Sequence, residues 1–420
     1  MQDCFKCSYL CPVADNHHSH LNPSISLKKL IRITTIPLSL DKLLGAQLTF
    51  MNQHFEVTAI AADAEELKRV ALKYGVMHHH VEMTRAITPV QDLQAVYQLY
   101  QYLRKVKPEM VHSHTPKAGL VGMMAAYFAG VPVRMHTVAG LPLLEAVGFK
   151  RKILNFVEKL TYAFATKVYP NSYGLKDIIL QERFCAPRKL KVLANGSSNG
   201  INTEVFSPAT VGISQREELR KELGIASDDF VFLFVGRLVG DKGINELVRA
   251  FKNLADEAHA DPEFHVVKKS LKLLLVGPLE QDLDPLDAET LVAIEGHPQI
   301  ISVGYQQEVR PYFAISDALV FPSYREGFPN VVLQASAMEL PSIVSDINGC
   351  NEIIAPLKNG LIVPVKDAAA LQSAMKELIS NPALYAAMKQ SARPHIESLY
   401  RQEVVWDALL KEYRELLAEK

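Results

Sequence analysis

The sequence lacks any apolar run long enough to cross a bilayer. Its longest mostly apolar stretch runs from Gly119 to Val133 and is interrupted by Gly-Val-Pro, whereas a membrane-spanning helix needs about 20 consecutive apolar residues. The N-terminal residues also lack the apolar segment of a secretory signal. Both absences predict a cytoplasmic protein, which we expect to meet the inner membrane face only peripherally.

Neither sign of charge is in excess. The 420 residues include 45 Lys and Arg against 46 Asp and Glu, so the formal net charge is −1. Because proteins that bind nucleic acid usually carry a basic excess, we expect no nucleic-acid partner. Apolar residues make up 48% of the chain, which is enough for the large cores of two or three globular domains.

Cysteine is scarce, and its five copies are widely spread. A disulfide framework is therefore not expected. The N-terminal segment holds a group of residues that could bind zinc: Cys4, Cys7, Cys11, His17, His18 and His20. No apolar periodicity surrounds this group, so we interpret residues 1–26 as a disordered leader and expect no bound metal.

From Leu27 onward, short apolar strands alternate with amphipathic helices. The predicted strands of the first half are 30–38, 56–62, 110–115, 133–139, 167–172 and 190–196. Those of the second half are 230–236, 272–277, 299–305, 318–323, 341–346 and 360–365. Near-continuous apolar strands separated by helices are typical of parallel sheets with helices on both faces. The predicted fold class is therefore α/β, with two doubly wound, Rossmann-like domains.

A Gly-, Asn- and Ser-rich stretch near residue 200 divides the two strand–helix series. We predict a first domain over 27–196, a linker over 197–208, a second domain over 209–394 and a final helical stretch over 395–420. Open parallel sheets bind their ligands beyond the carboxyl ends of the strands. The site is therefore expected in the cleft between two facing domains.

A cationic loop, in the sequence VGRLVGDKG, follows the first strand of the second domain. The strand ends at Gly236, Arg237 projects from the loop, and Lys242 stands at the start of the next helix. Free backbone N–H groups and two cations at short range suit a diphosphate, with Arg as a planar fork and Lys as a point charge. A solvated salt bridge explains this loop equally well when it is taken alone.

A second motif, EGFPN, runs from Glu326 to Asn330 and opens an apolar helix. Pro329 suits the first turn of a helix. The amides around Gly327, Phe328 and Asn330 would face an anion, with the help of the helix dipole. The carboxylate of Glu326 could accept hydrogen bonds from sugar hydroxyls, or it could simply cap the helix dipole.

Gln334 falls on the second turn of this helix, within reach of a ribose in the same cleft; an ordinary surface position is the alternative. Together these features resemble the retaining family-4 glycosyltransferases of GT-B architecture, from about Leu27 to the C-terminus. The resemblance is particularly close to bacterial enzymes that build capsule, O-antigen and other lipid-linked glycans. It implies an acceptor-binding first domain, a second domain that binds the nucleotide sugar, and a C-terminal helix that crosses back to the first domain.

The resemblance also implies roles for residues of the second domain. Arg237 and Lys242 would hold the diphosphate, and Glu326 would hold hydroxyls of the donor sugar. The other donor-binding residues would be Gly236, Gly304, Tyr305, Gly327, Phe328, Pro329, Asn330 and Gln334, with the Gly304–Tyr305 loop near the base. The family signature has a second glutamate where this chain has Gln334, which is a neutral and weaker acceptor.

In the first domain, VHSHTPKAGLVG resembles the family's strand-end His-x-His and the Gly-rich helix start that follows it. His114 is the preferred cleft histidine, with Lys117 beside it, and a purely structural role is the alternative. In RMHTVAGLP, Ala139 stands where many members have the histidine that faces the reacting sugar; His136 lies three residues earlier. The chain around Gly45 resembles the acceptor-side glycine loop.

The reaction implied is the retaining transfer of a sugar from a nucleotide diphosphate sugar, expected to be UDP-linked, to a hydroxyl of a glycan or polyprenyl-linked acceptor. The expected catalytic residues are Glu326, Lys242, Arg237 and His114. Because cations and a helix N-terminus stabilise the departing diphosphate, no metal or other cofactor is expected. Asp282 and Asp284, in an irregular acidic loop, are interpreted as surface charge.

Two alternatives remain at this point. A sugar-nucleotide 2-epimerase shares the architecture and the donor, and a non-catalytic sugar-nucleotide-binding subunit or sensor is favoured by Ala139 and Gln334. The stretch GFKRKILNFVEKLTYAFATK, residues 148–167, carries a basic end beside aromatic side chains. It could rest on anionic headgroups, or it could be an ordinary helix of the domain.

Overall fold

The computed structural model describes residues 27–84, 86, 88–260, 270–282 and 284–419. The leader and its Cys and His residues lie outside the described residues. Within them, no helix is both long enough and apolar enough to cross a membrane.

The described residues form two parallel six-stranded sheets. The first has the order β3-β2-β1-β4-β5-β6 and the second has the order β12-β11-β10-β7-β8-β9. The strands are β1 Lys29–Ile33, β2 Glu56–Ala61, β3 Met77–His80, β4 Met110–Ser113, β5 Val133–Val138, β6 Lys167–Pro170, β7 Phe230–Val235, β8 Leu271–Val276, β9 Ile300–Ser302, β10 Ala318–Phe321, β11 Ser342–Ser345 and β12 Gly360–Val363. The predicted α/β fold class with two doubly wound sheets is confirmed.

Helices connect the strands and cover the sheets. They are α1 Pro37–Ser39, α2 Gln47–Asn52, α3 Ala64–Tyr74, α4 Pro89–Val106, α5 Pro116–Phe128, α6 Gly148–Phe164, α7 Tyr173–Gln181, α8 Ile213–Glu222, α9 Ile244–Ala260, α10 Ala288–Gly296, α11 Arg310–Ala314, α12 Asn330–Ala337, α13 Cys350–Ile353, α14 Ala368–Ser380, α15 Pro382–Tyr400 and α16 Gln402–Ala418.

Burial explains why these strands read as continuous apolar runs. In β7, Phe232, Leu233 and Phe234 are fully buried, and Leu30 and Ile31 of β1 are buried in the same way. A strand with helices on both faces has no solvent side, so successive residues are apolar instead of alternating with polar ones.

Two strand predictions for the first sheet differ from the structure. Residues 190–196 form no strand; only Leu190 makes an isolated bridge, to Val168, as the chain leaves the sheet. The strand β3 was not predicted from the sequence, because its residues MHHH carry no apolar pattern. It lies at the edge of the sheet, where most of its side chains are exposed.

The last helix of the chain packs against the first sheet. Tyr413, Leu409 and Leu416 of α16 are buried in one apolar cluster with β1 and β2 residues. The Tyr413 hydroxyl lies 2.5 Å from Nδ1 of His112 on β4. The chain therefore returns to its first half after completing the second sheet.

Candidate active site

Glycines end three neighbouring strands of the second sheet. Gly236, Gly277 and Gly304 follow β7, β8 and β9. A side chain at Gly277 would place its Cβ 1.8 Å from the carbonyl oxygen of Gly236, and the Gly277 N–H donates to the Gly304 carbonyl at 2.9 Å. The ends of β7 and β8 can approach so closely only because Gly277 has no Cβ. Tyr305 beside them is exposed.

The loops after β7 and β10 meet through an ion pair between Lys242 and Glu326. Both side chains are mostly buried, with 16% and 19% of their surfaces exposed. The Ser323 hydroxyl also donates to Glu326 Oε1, at 3.1 Å. Two of the predicted site residues, 84 positions apart in the sequence, are thus brought into direct contact.

Arg237 is directed to a neighbouring cavity. Its guanidinium pairs with Glu280 at 3.1 Å, and it lines a cavity of about 740 Å³ together with Tyr324, Arg325 and Lys366. Tyr324 and Arg325 immediately precede Glu326, so this cavity adjoins the Lys242–Glu326 pair. The contact with Glu280 was not predicted from the sequence.

The interpretation of Asp284 as surface charge is wrong. Its carboxylate accepts a hydrogen bond from the Asp241 backbone at 2.5 Å, and its carbonyl accepts one from Gly240 at 3.1 Å. It therefore holds the turn that carries Lys242. Asp282 is exposed, as expected.

The EGFPN motif lies where a helix begins. Pro329 is the N-cap residue of α12, and the helix starts at Asn330. Its first-turn N–H groups have no partners within the helix, as at every helix start. Gln334 lies on the second turn, half-buried, and its side chain makes no hydrogen bond with the described residues.

Gly327 lies in close contact with the first half of the chain. A Cβ on it would lie 1.7 Å from the carbonyl oxygen of Ala139, which follows β5 of the first sheet. On the other side, the Asn348 amide donates to the Glu326 carbonyl. Phe328 packs on Tyr400, with ring centroids 5.4 Å apart. The Glu326 loop is thus held from both sides, and only glycine fits at its centre.

A carboxylate from the second half caps a helix of the first half. Glu352 accepts hydrogen bonds from the backbone N–H groups of Tyr173 and Gly174, at 2.8 and 2.9 Å. These residues open α7, where an anion is favoured by the helix dipole. This contact was not predictable from the sequence, because the residues that form it are 178 and 179 positions apart.

His114 lies at the end of β4 in a buried polar network. Nε of the fully buried Arg32 donates to its Nε2 at 3.0 Å, and Nη2 of Arg32 donates to Gln47 Oε1 at 2.6 Å. Burial, with His112 and Arg32 nearby, holds the pKa of His114 well below its usual value. The imidazole is therefore neutral and carries its proton on Nδ1. Arg32 was not predicted as a site residue.

The other residues predicted on the acceptor side lie in separate environments. Lys117 pairs with Asp92 of α4 at 2.5 Å, and both side chains are largely buried. His136 is buried, lies 2.9 Å from the Ser113 hydroxyl and packs under Gly119, where a Cβ would contact its ring at 2.5 Å. Gly45 adopts a positive φ of 51° in the turn before α2.

A cavity of about 230 Å³ opens between the ends of β4 and β5. His114, Thr115, His136 and Gly140 lie on its sheet side, Glu158 comes from α6, and Arg325 reaches it from the second half of the chain. Burial raises the pKa of Glu158 to about 7. Because Arg325 immediately precedes Glu326, this cavity adjoins the Lys242–Glu326 pair.

Comparison with known proteins agrees with this arrangement. Residues 215–395 match the family model "Glycosyl transferases group 1" and residues 49–196 match "Glycosyl transferase 4-like domain". The capsular polysaccharide biosynthesis glycosyltransferase CapM of Staphylococcus aureus is 29% identical over 393 residues, which are 93% of this chain and 98% of that protein.

Two further relatives extend the comparison. An Escherichia coli UDP-Gal:alpha-D-GlcNAc-diphosphoundecaprenol alpha-1,3-galactosyltransferase is 29% identical, over 72% of this chain and 74% of its own. The crystal structure of Anabaena HepE in complex with UDP and glucose superposes with a TM-score of 0.74 at 16% identity, covering 92% of this chain and all of that one. The chain belongs to the family-4 glycosyltransferases of GT-B architecture.

Proposed function

We propose that this chain is a retaining glycosyltransferase of surface polysaccharide synthesis. It moves a hexosyl or N-acetylhexosaminyl group from a UDP sugar to a hydroxyl of a lipid-linked glycan. The observation that carries the proposal is the contact between Lys242 and Glu326 at the mouth of α12. The contact places the Lys242 cation, and the Glu326 carboxylate that can accept hydrogen bonds from sugar hydroxyls, beside the N-terminus of a helix.

Each of these groups has a task in the transfer. The bond between the anomeric carbon and the diphosphate oxygen breaks, and the diphosphate leaves with that electron pair. Lys242 and the amides at the start of α12 stabilise the charge that develops on it. Glu326 orients the hydroxyls of the donor sugar. When a diphosphate is bound, the Lys242 ammonium group interacts with both the diphosphate and the Glu326 carboxylate.

The configuration of the anomeric carbon is retained because the acceptor hydroxyl attacks this carbon from the face that the diphosphate leaves. The acceptor oxygen forms the new bond to the anomeric carbon, and its proton passes to the departing diphosphate oxygen. The contact between Gly327 and Ala139 closes the cleft at this point. Closure excludes water, which would otherwise compete as the acceptor.

Uridine as the base of the donor is supported by the printed names of relatives. The Escherichia coli relative uses UDP-Gal, and HepE was crystallised with UDP. In this chain, Gly304 and Tyr305 lie at the carboxyl end of β9, next to the Gly236 strand end. The Tyr305 ring is 69% exposed and is thus available to a base.

No metal is needed in the proposed mechanism, because cations of the protein and the α12 amides carry the charge of the diphosphate. Among the described residues, no group of three or more His, Cys, Asp or Glu side chains is placed to hold a metal ion.

A lipid-linked acceptor is supported by the surface around α6. Val147, Phe149 and Phe156 are 83%, 77% and 64% exposed, and Lys150 and Lys152 accompany them on the same helix. Apolar side chains beside lysines are typical of helices that lie on anionic membranes. We place the protein in the cytoplasm, with this face resting on the inner membrane surface.

The reaction is tested by incubating the purified protein with UDP sugars, with and without a short-chain lipid diphosphate N-acetylglucosamine. Slow release of UDP without acceptor, and fast release with formation of a disaccharide-lipid, are expected. Nuclear magnetic resonance of the anomeric proton of the product reports retention. Tight UDP-sugar binding without turnover under any condition would favour a sensor, and an isomerised nucleotide sugar would identify an epimerase.

Membrane contact is tested by flotation with vesicles of phosphatidylglycerol and phosphatidylethanolamine. We expect the wild-type protein to float with the vesicles and a Val147→Ser/Phe149→Ser variant to remain at the bottom. Equal flotation of both would contradict the role of this face. A Leu72→Ser variant, which changes an exposed leucine on α3, is the matched control.

A further inference from the structure

The cavity of about 230 Å³ belongs almost entirely to the first half of the chain. Only Arg325 comes from the second half, and the charge of Arg325 is matched by Asp241 at 3.0 Å. Pockets for drug-sized ligands measure about 300–1,000 Å³, so this cavity has room for one sugar ring and not for a glycan chain. It opens beside the segment that holds Glu326, where the donor sugar would lie.

Glu158 is a buried carboxyl in the lining of this cavity. It is 7% exposed, lies on α6, and forms no ion pair with any described residue. Tyr162, one turn further along the helix, is the hydrogen-bonding neighbour that moderates the rise in the pKa of Glu158. A carboxyl with one such neighbour keeps further acceptor capacity that a ligand can use.

His114, on the sheet side, adds an unsatisfied donor to the cavity. Its Nε2 accepts from Arg32, and its Nδ1 is buried without a hydrogen-bond partner among the described residues. The cavity therefore brings together a buried carboxyl and an imidazole whose Nδ1 lacks a partner among the described residues, and the one arginine that lines it is paired with Asp241. Such a lining suits hydroxyl and acetamido groups.

We propose that Glu158 is a specificity-determining residue of the acceptor site, where its carboxyl hydrogen-bonds a neutral sugar ring that enters this cavity. The inference rests on the proposed function, since it assigns the cavity to the acceptor of the same transfer. It adds the substrate class: the terminal acceptor sugar carries hydroxyl or acetamido groups and no carboxylate.

Saturation-transfer nuclear magnetic resonance tests this assignment without requiring turnover. The probes are the methyl glycosides of glucose, galactose, N-acetylglucosamine and N-acetylgalactosamine, with methyl glucuronide for comparison, all in saturating UDP. We expect at least one neutral glycoside to bind the wild-type protein and methyl glucuronide not to bind. Glu158→Ala should weaken that binding about tenfold, the cost of one lost hydrogen bond to a buried group, and Glu158→Gln should retain it.

The control variant is Asp177→Asn, an exposed carboxylate on the neighbouring helix α7, which should bind as the wild type does. Equal binding by wild type and Glu158→Ala, or no binding of any neutral glycoside to the wild type, would overturn the inference. Calorimetric titration of UDP in the same samples separates the two proposals. A wild-type protein that fails to bind UDP would refute the proposed function, whereas UDP binding without an effect of Glu158 would refute only the acceptor assignment.

Discussion

The contact between Gly327 and Ala139 allows the effect of the substitution Gly327→Ala to be predicted. The added Cβ would lie 1.7 Å from the Ala139 carbonyl oxygen and 2.6 Å from the carbonyl carbon. Both obstacles are backbone atoms, so no side-chain rotation relieves the clash. The two loops must separate by about 1 Å, and a misplacement of that size costs about 10²-fold in rate when reacting groups are held by opposite walls of a cleft.

We therefore expect Gly327→Ala to lower kcat about 10²-fold, which corresponds to about 2.7 kcal/mol of lost transition-state stabilisation. The nucleotide site is proposed to lie in the second half of the chain, so UDP affinity should stay close to that of the wild type. The melting temperature should change little, because opening of the cleft relieves the clash without unfolding either sheet.

Initial rates of sugar transfer, calorimetric titration of UDP and thermal unfolding provide the three readouts. Gly296→Ala is the matched control, because Gly296 is exposed and a Cβ there would meet nothing within 4 Å. Wild-type kcat in Gly327→Ala would refute the idea that this closed contact is the catalytic arrangement. A parallel loss of UDP affinity would show that the variant damages the donor site instead.

Three other outcomes are expected. Lys242→Ala should lower kcat/KM by about 10²–10³ while the protein stays folded. The control is Lys252→Ala, which removes an outward-facing cation of α9 paired with Glu289 and should leave kcat/KM unchanged. A wild-type rate for Lys242→Ala would contradict the proposed charge stabilisation. Activity should survive dialysis against EDTA, and a loss that Mg²⁺ restores would contradict metal independence. Burial raises the pKa of Glu158 to about 7 from about 4.3 in the unfolded chain. The contribution of this carboxyl to the free energy of unfolding is therefore fully present below about pH 4.3, and it is lost as the pH rises through the folded-state pKa of about 7. Glu158→Gln should therefore gain stability relative to the wild type between pH 5 and pH 8 in denaturant titrations, and a constant difference would argue against the buried carboxyl.

The sequence predicted the fold well because both sheets are parallel and covered on both faces. Runs such as FVFLFV have no polar position, so their strand character can be read locally. The prediction failed where that reasoning does not apply. The strand β3 is an exposed edge of histidines, and residues 190–196 leave the sheet after a single bridge from Leu190 to Val168.

The candidate site was partly predictable for a related reason. Lys242 and Glu326 lie in the loops that follow the buried strands β7 and β10. Neighbouring parallel strands bring their carboxyl ends to the same edge of the sheet. The partners of these ends were not predictable. Glu280 at Arg237, Glu352 at the start of α7 and Arg32 at His114 come from other segments of the chain. No local pattern marks a residue as the partner of another that lies 43 or more positions away.

The position of α16 also bears on the order in which the protein folds. Leu409, Tyr413 and Leu416 complete the apolar cluster over β1 and β2, yet the ribosome produces them after the whole second sheet. The first sheet must therefore wait, with an uncovered apolar surface, until the last helix emerges. We expect nascent chains released before residue 402 to engage chaperones, and the isolated first domain to aggregate unless α16 is supplied as a separate peptide.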